Sequence, residues 1–151
     1  MSGYSLVANG GKNMKTSLER FIKAQGNDYQ TALAEVRAGY KCSHWMWYIF
    51  PQLKGLGFSS TAQFYGINGK EEAKAYLEHP VLGARLREIT SVLLTLEHKS
   101  AVEIFGRTDA MKLRSSMTLF NAVANGEDIF QKVLNKYYGG KSDDITLAML
   151  K

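Results

Sequence analysis

Apolar side chains recur along this chain every three or four residues, which is the spacing of one face of an α-helix. The clearest stripe lies in the middle of the chain, at Leu82, Leu86, Ile89, Leu93 and Leu96. No stretch alternates β-branched and polar residues between turn signals, as a half-buried strand would. The pattern therefore predicts an all-α protein, a compact single-domain bundle of about seven to nine short helices with negligible strand.

Glycines and capping residues divide this pattern into separate helices. Gly26, followed by Asp28 as a possible cap, predicts a break in the first helical stretch. Ser100 and Glu103 have the spacing of a capping box, and Asp109 is in place to cap the long helix that follows. Residues 1–15 are rich in glycine and show little apolar periodicity, so we expect a flexible N-terminal tail over 1–15 and a single helical domain over 16–151.

Composition narrows the class of protein. Apolar residues make up 45% and charged residues 22% of the chain, as in ordinary globular proteins, so a folded core is expected. We expect no membrane contact, because no apolar run reaches the ~20 residues that a membrane span needs. Cys42 is the only cysteine, which excludes an intramolecular disulfide and favours a cytoplasmic location.

The net charge of +5 raises the question of nucleic-acid binding. Lysines and arginines are spread along the chain and alternate with acidic residues, as at Arg85, Arg87 and Glu88. A nucleic-acid binder usually gathers its positive charge into a patch or stripe. The charge pattern therefore favours an ordinary solvated surface over a nucleic-acid partner.

The most unusual stretch, residues 40–50, contains both tryptophans of the chain, Trp45 and Trp47. Large aromatic side chains usually fill a core. His44, which lies between Ser43 and Trp45, has the chemistry to bind an anion or transfer a proton near neutral pH. A buried histidine that donates to a carbonyl is the alternative, and the residue types alone favour it. The scattered histidines and the single Cys42 have no metal-ligand spacing, so no metal ion or other cofactor is expected.

A second candidate stretch runs over residues 107–118. Helical spacing places Lys112 and Ser116 on one flank, with Ser115 beside them and Arg114 nearby. Cationic and hydroxyl side chains near a helix start suit an oxyanion such as phosphate. The alternative is a solvated helical face whose serines bond back to their own helix, and the residue types alone slightly favour it.

These two stretches resemble the domain of unknown function 1810 family. The resemblance rests on Ser-His-Trp-Met-Trp at 43–47, Ile-Phe-Pro-Gln at 49–52 and the run from Lys to Phe at 112–120, and it extends from residue 18 to the C-terminus. It implies a compact, mainly α-helical fold and no established activity. A core accepts many apolar substitutions of similar volume, so signature polar residues such as His44 and Gln52 imply a shared ligand or a buried hydrogen-bond network.

We therefore hypothesise a pocket between residues 43–52 and 107–118 that binds or processes a small, phosphate-bearing, nucleotide-like ligand. In this hypothesis a tryptophan stacks on the ring of the ligand, and His44 is the candidate catalytic residue. The candidate ligand-binding residues are Ser43, Trp45, Trp47, Gln52, Lys112, Arg114, Ser115 and Ser116. The alternative is a non-catalytic protein-interaction module in which the aromatic stretch forms an exposed patch.

Overall fold

The computed structural model describes residues 14–151, which form nine α-helices. They are α1 (Met14–Ala38), α2 (Met46–Ile49), α3 (Ser60–Phe64), α4 (Gly69–Glu78), α5 (Leu82–Thr95), α6 (Ala101–Phe105), α7 (Arg107–Val123), α8 (Ile129–Tyr138) and α9 (Asp144–Met149). Over this part of the chain the β pairing is limited to one parallel bridge between Leu53 and Ile67. The all-α fold with negligible strand is confirmed. The expected tail lies outside the described residues, except for its last two, which open α1.

The first helix does not break where the sequence predicts. α1 continues through Gly26 for 25 residues, and the expected cap Asp28 instead accepts a hydrogen bond from the Tyr48 hydroxyl. A glycine inside a helix costs only about 1 kcal/mol. Phe21 on one side of Gly26 and Val36 on the other are fully buried, and burying such side chains contributes about 1.5–3 kcal/mol each. Packing of both halves in one core therefore outweighs the local signal.

The other two capping predictions have different outcomes. The capping box that starts α6 is confirmed, because the Ser100 hydroxyl accepts from the Glu103 backbone N–H and the Glu103 carboxylate accepts from the Ser100 backbone N–H. The prediction that Asp109 caps α7 is wrong, because the helix begins two residues earlier, at Arg107. The Asp109 carboxylate is instead paired with lysines.

Helix α7 is central to the packing and contacts α4, α6, α8 and α9. Leu113, Met117 and Phe120 form its fully buried face. The opposite flank, around Met111 and Lys112, therefore reaches the surface. Among the described helices, none is long and apolar enough to cross a membrane.

We expect opposite effects of alanine at two helical glycines. A Cβ on Gly83 would lie 2.1 Å from the Leu77 carbonyl oxygen, a backbone atom that can move only if α4 and α5 separate. Gly83→Ala should therefore lower the free energy of unfolding by about 2 kcal/mol or more. A Cβ on Gly26 would meet nothing within 4 Å, so Gly26→Ala should raise it by about 0.5–1 kcal/mol. Urea denaturation of both variants measures the two effects, and a shift of the same sign would contradict this packing.

Candidate functional site

A cleft of about 290 Å³ opens where the loop after α2, the first half of α7 and the start of α9 meet. This volume is near the lower end of the range for small-molecule pockets. The cleft is lined by Gln52, Leu56, Gly57, Thr108, Met111, Lys112, Arg114, Ser115, Asp143 and Ile145. Apolar and charged side chains thus share one concave surface.

The loop that forms one wall of the cleft is fixed by backbone contacts. The Ile67 backbone N–H donates to the Gln52 carbonyl at 2.8 Å, and the Lys54 N–H donates to the Ile67 carbonyl at 2.9 Å. A Cβ on Gly66 would lie 2.5 Å from Lys54 Cα, and one on Gly57 would lie 2.7 Å from the neighbouring helix α3 at Ala62. Glycine therefore lets the loop pack closely on its neighbours, which places Gln52 at the cleft.

Lys112 supplies a partly exposed cation to the cleft wall. Its side chain is 23% exposed, and its Nζ lies 3.7 Å from Asp109 Oδ1. The same ammonium lies 5.2 Å from the centroid of the Trp47 ring, which attracts it through a cation–π interaction. Trp47 is itself half-buried against the core. The ammonium is thus oriented by an aromatic face and a carboxylate without a short hydrogen bond to that carboxylate.

Arg114 and Asp143 hold the third wall of the cleft. The Arg114 guanidinium donates to the carbonyls of Lys141 and Ser142, each at 3.0 Å. Asp143 caps α9 by accepting from the Thr146 backbone N–H at 3.0 Å and from its hydroxyl at 2.5 Å. Arg114 therefore contributes mainly to structure, and Asp143 adds a negative charge to the cleft lining.

The structure brings together only part of the hypothesised site. Gln52, Lys112, Arg114 and Ser115 line the cleft, and Trp47 lies against Lys112. Placing Trp45 and Ser116 in contact with a ligand is a prediction that the packing contradicts, because Trp45 is 1% exposed and Ser116 is completely buried.

His44 and Ser43 lie apart from the cleft lining. The imidazole of His44 is exposed and has no hydrogen-bond partner among the described residues. The hypothesised arrangement, with His44 and Lys112 facing one cavity, is therefore not found. Ser43 is held by hydrogen bonds to a glutamate on α1.

That glutamate is Glu35, which the sequence pattern did not single out. It accepts hydrogen bonds from the Cys42 N–H (2.8 Å), from the Ser43 N–H (3.0 Å) and hydroxyl (2.6 Å), and from Trp45 Nε1 (2.9 Å). Burial alone would raise the pKa of Glu35, but these hydrogen bonds outweigh burial and lower the pKa to about 2. Ser43 and Trp45 of the 43–47 motif thus belong to a hydrogen-bond network, whereas neither His44 nor Gln52 is among the donors to Glu35.

One sequence signal points to Glu35. It lies in the last turn of α1, which ends at Ala38. A carboxylate is disfavoured there by the partial negative charge of the helix C-terminus. The chain turns back immediately after the helix, and its N–H groups compensate for this unfavourable position.

Comparison with known proteins gives a family and a fold. The family described as "Protein of unknown function (DUF1810)" matches residues 15–150. The chain is also similar to the conserved hypothetical protein Rv1873 from Mycobacterium tuberculosis, whose crystal structure was determined at 1.38 Å. The two are 48% identical, with a TM-score of 0.87, and the match covers 89% of this chain and 96% of that chain. No curated protein matches the chain.

Proposed function

This chain belongs to the DUF1810 family, and since membership carries no activity, we propose its function from the geometry of the cleft. The protein binds a small, phosphate-bearing, nucleotide-like ligand there. The observation that carries the proposal is the Lys112 ammonium, which lies on the wall of a 290 Å³ cleft and is 3.7 Å from its nearest carboxylate. Its N–H donors are therefore available to a phosphate oxygen.

The remaining walls suit the rest of such a ligand. Leu56, Met111 and Ile145 offer an apolar surface for a planar ring. The Gln52 carboxamide can both donate to and accept from polar atoms at the edge of the ring. The Asp143 carboxylate repels phosphate but accepts hydrogen bonds from hydroxyl groups, so it favours a sugar at its end of the cleft and the phosphate at the Lys112 end.

The geometry changes the roles that the sequence suggested. Trp47 supports the Lys112 ammonium from the side and does not serve as the stacking platform for the ring. We assign no catalytic residue, because His44 does not line the cleft. The rival interaction module requires an exposed aromatic patch, whereas Trp45 is buried and Trp47 is half-buried. These placements favour the cleft over the module. The cytoplasmic location remains a prediction.

We expect Lys112→Met to weaken binding of adenosine monophosphate by about tenfold or more, because a charge-assisted hydrogen bond to phosphate is lost. Isothermal titration calorimetry at low salt measures the change. Lys132→Met is the matched control, since Lys132 also lies 3.7 Å from an aspartate but is exposed on α8. An equal loss of affinity in both variants would show that binding depends on the net charge of the protein and not on the position of Lys112. No binding of the nucleotide by the wild type would remove the proposal.

A further inference from the structure

Asp109 carries a cation on each oxygen of its carboxylate. Its Oδ2 lies 2.9 Å from Lys41 Nζ, and its Oδ1 lies 3.7 Å from Lys112 Nζ. The Lys41 side chain is only 7% exposed. Charges in such a partly desolvated position interact more strongly than on an open surface. Lys41, Asp109 and Lys112 together carry a net charge of +1. Lys112 is the more exposed of the two lysines, and it lines the cleft.

The two lysines are held differently. Lys41 Nζ donates to the Ser43 carbonyl at 2.5 Å and lies 4.9 Å from the centroid of the Trp45 ring. The Lys41 backbone N–H donates to the Ile104 carbonyl at 2.8 Å. Lys41 is therefore fixed, and it forms the short ion pair with Asp109. Lys112 makes the longer contact with Asp109, at 3.7 Å, so its ammonium can interact strongly with another anion.

We propose that Lys41 and Asp109 are positioning residues that set the affinity of the cleft for anions. This inference rests on the proposed function of the cleft. With Lys41 in place, the negative charge of the Asp109 carboxylate is balanced by the Lys41 ammonium, and the Lys112 ammonium can bind a phosphate. Without Lys41, the carboxylate has Lys112 as its remaining charge partner and competes with the ligand for it. Without Asp109, the cluster gains a unit of positive charge.

The test is the affinity for inorganic pyrophosphate in four proteins, measured by calorimetry at low salt. Lys41→Met should weaken binding on the order of fivefold, and Asp109→Asn should strengthen it by a similar factor. The double variant has the same cluster charge as the wild type and should recover the wild-type affinity. The differences should shrink as salt is added, because they arise from charge. If Lys41 and Asp109 had a purely structural role, binding would be weaker in all three variants, and the loss of affinity would not depend on the salt concentration.

Each outcome assigns the failure to one of the two proposals. Suppose that Lys112→Met loses pyrophosphate binding. If Lys41→Met and Asp109→Asn then bind as the wild type does, or if both bind more weakly, the charge inference is wrong and the proposed function stands. If the wild type binds neither adenosine monophosphate nor pyrophosphate, or if Lys112→Met binds both as well as the wild type does, the proposed function fails and the inference falls with it. If the wild type binds the nucleotide but not pyrophosphate, the charge inference is wrong and the proposed function stands. Should Lys41→Met not fold, Asp109→Asn still decides, because only the charge inference predicts tighter binding.

Discussion

Glu72→Ala is expected to lower the free energy of unfolding by about 3 to 5 kcal/mol, because it breaks a buried ion pair and leaves the partner unpaired. The Glu72 side chain is 4% exposed and accepts two hydrogen bonds from Arg20, each at 3.1 Å. It also accepts from the Ser17 hydroxyl and from the Asn68 backbone N–H. These contacts join α1 to the start of α4. Urea denaturation measures the effect.

Glu71→Ala is the matched control for this change. Glu71 is the preceding residue in the first turn of α4, but it is exposed, so its loss should change the free energy of unfolding by no more than about 0.5 kcal/mol. Burial alone would raise the pKa of Glu72, but hydrogen bonds led by Arg20 outweigh it and lower the pKa. The contribution of Glu72 is therefore complete above the ordinary glutamate pKa of 4.5 and is lost as pH falls below it. Similar effects of the two variants at neutral pH would contradict this account.

Glu35→Ala is expected to lower the free energy of unfolding by roughly 2 to 4 kcal/mol, since hydrogen bonds to a charged group contribute about 1.5–3 kcal/mol each and some of the donors can turn to water. The Trp45 indole N–H cannot donate to water instead, because Trp45 is buried. We therefore also expect a change in tryptophan fluorescence. Denaturation followed by fluorescence measures both effects.

The pH dependence of this effect follows from the lowered pKa of Glu35. The carboxylate contributes its full stabilisation above the ordinary pKa of 4.5, and the contribution is lost as pH falls from there towards the folded-state pKa of about 2. The difference between the wild type and Glu35→Ala should shrink over that interval. Glu19→Ala, an exposed change on the same helix, is the control and should show no such dependence. A pH-independent difference for Glu35→Ala would contradict the role of the charge.

The fold class was predictable because most of its signals act over a few residues. The stripe from Leu82 to Leu93 is buried as its spacing indicates, and the capping box of Ser100 and Glu103 is formed. The break at Gly26 was wrongly predicted because it depends on a competition between a local preference and distant packing. Only the three-dimensional core shows that both halves of α1 are buried together.

The candidate site was predictable where helix geometry alone decides. Spacing along α7 places Lys112 and Ser115 where they meet the cleft. The burial of Trp45 beside the half-buried Trp47 depends on how the turn after α1 packs, which no periodicity in residues 40–50 reveals. The role of Glu35 could not be predicted for the same reason. Its hydrogen-bond donors lie after α1 and reach its carboxylate only because the chain turns back there.

The central claim, that a phosphate-bearing ligand occupies the cleft beside Lys112, is tested most directly by NMR titration of 15N-labelled protein with adenosine monophosphate. The account predicts that the Gln52 side-chain amide, the Trp47 indole N–H and the Gly57 backbone amide shift together. The resonance of the Trp45 indole N–H, which donates to Glu35, should not shift. In Lys112→Met, about tenfold more nucleotide or more should be needed to reach the same shifts. Shifts confined to other surfaces, or none at a saturating nucleotide concentration, would contradict it.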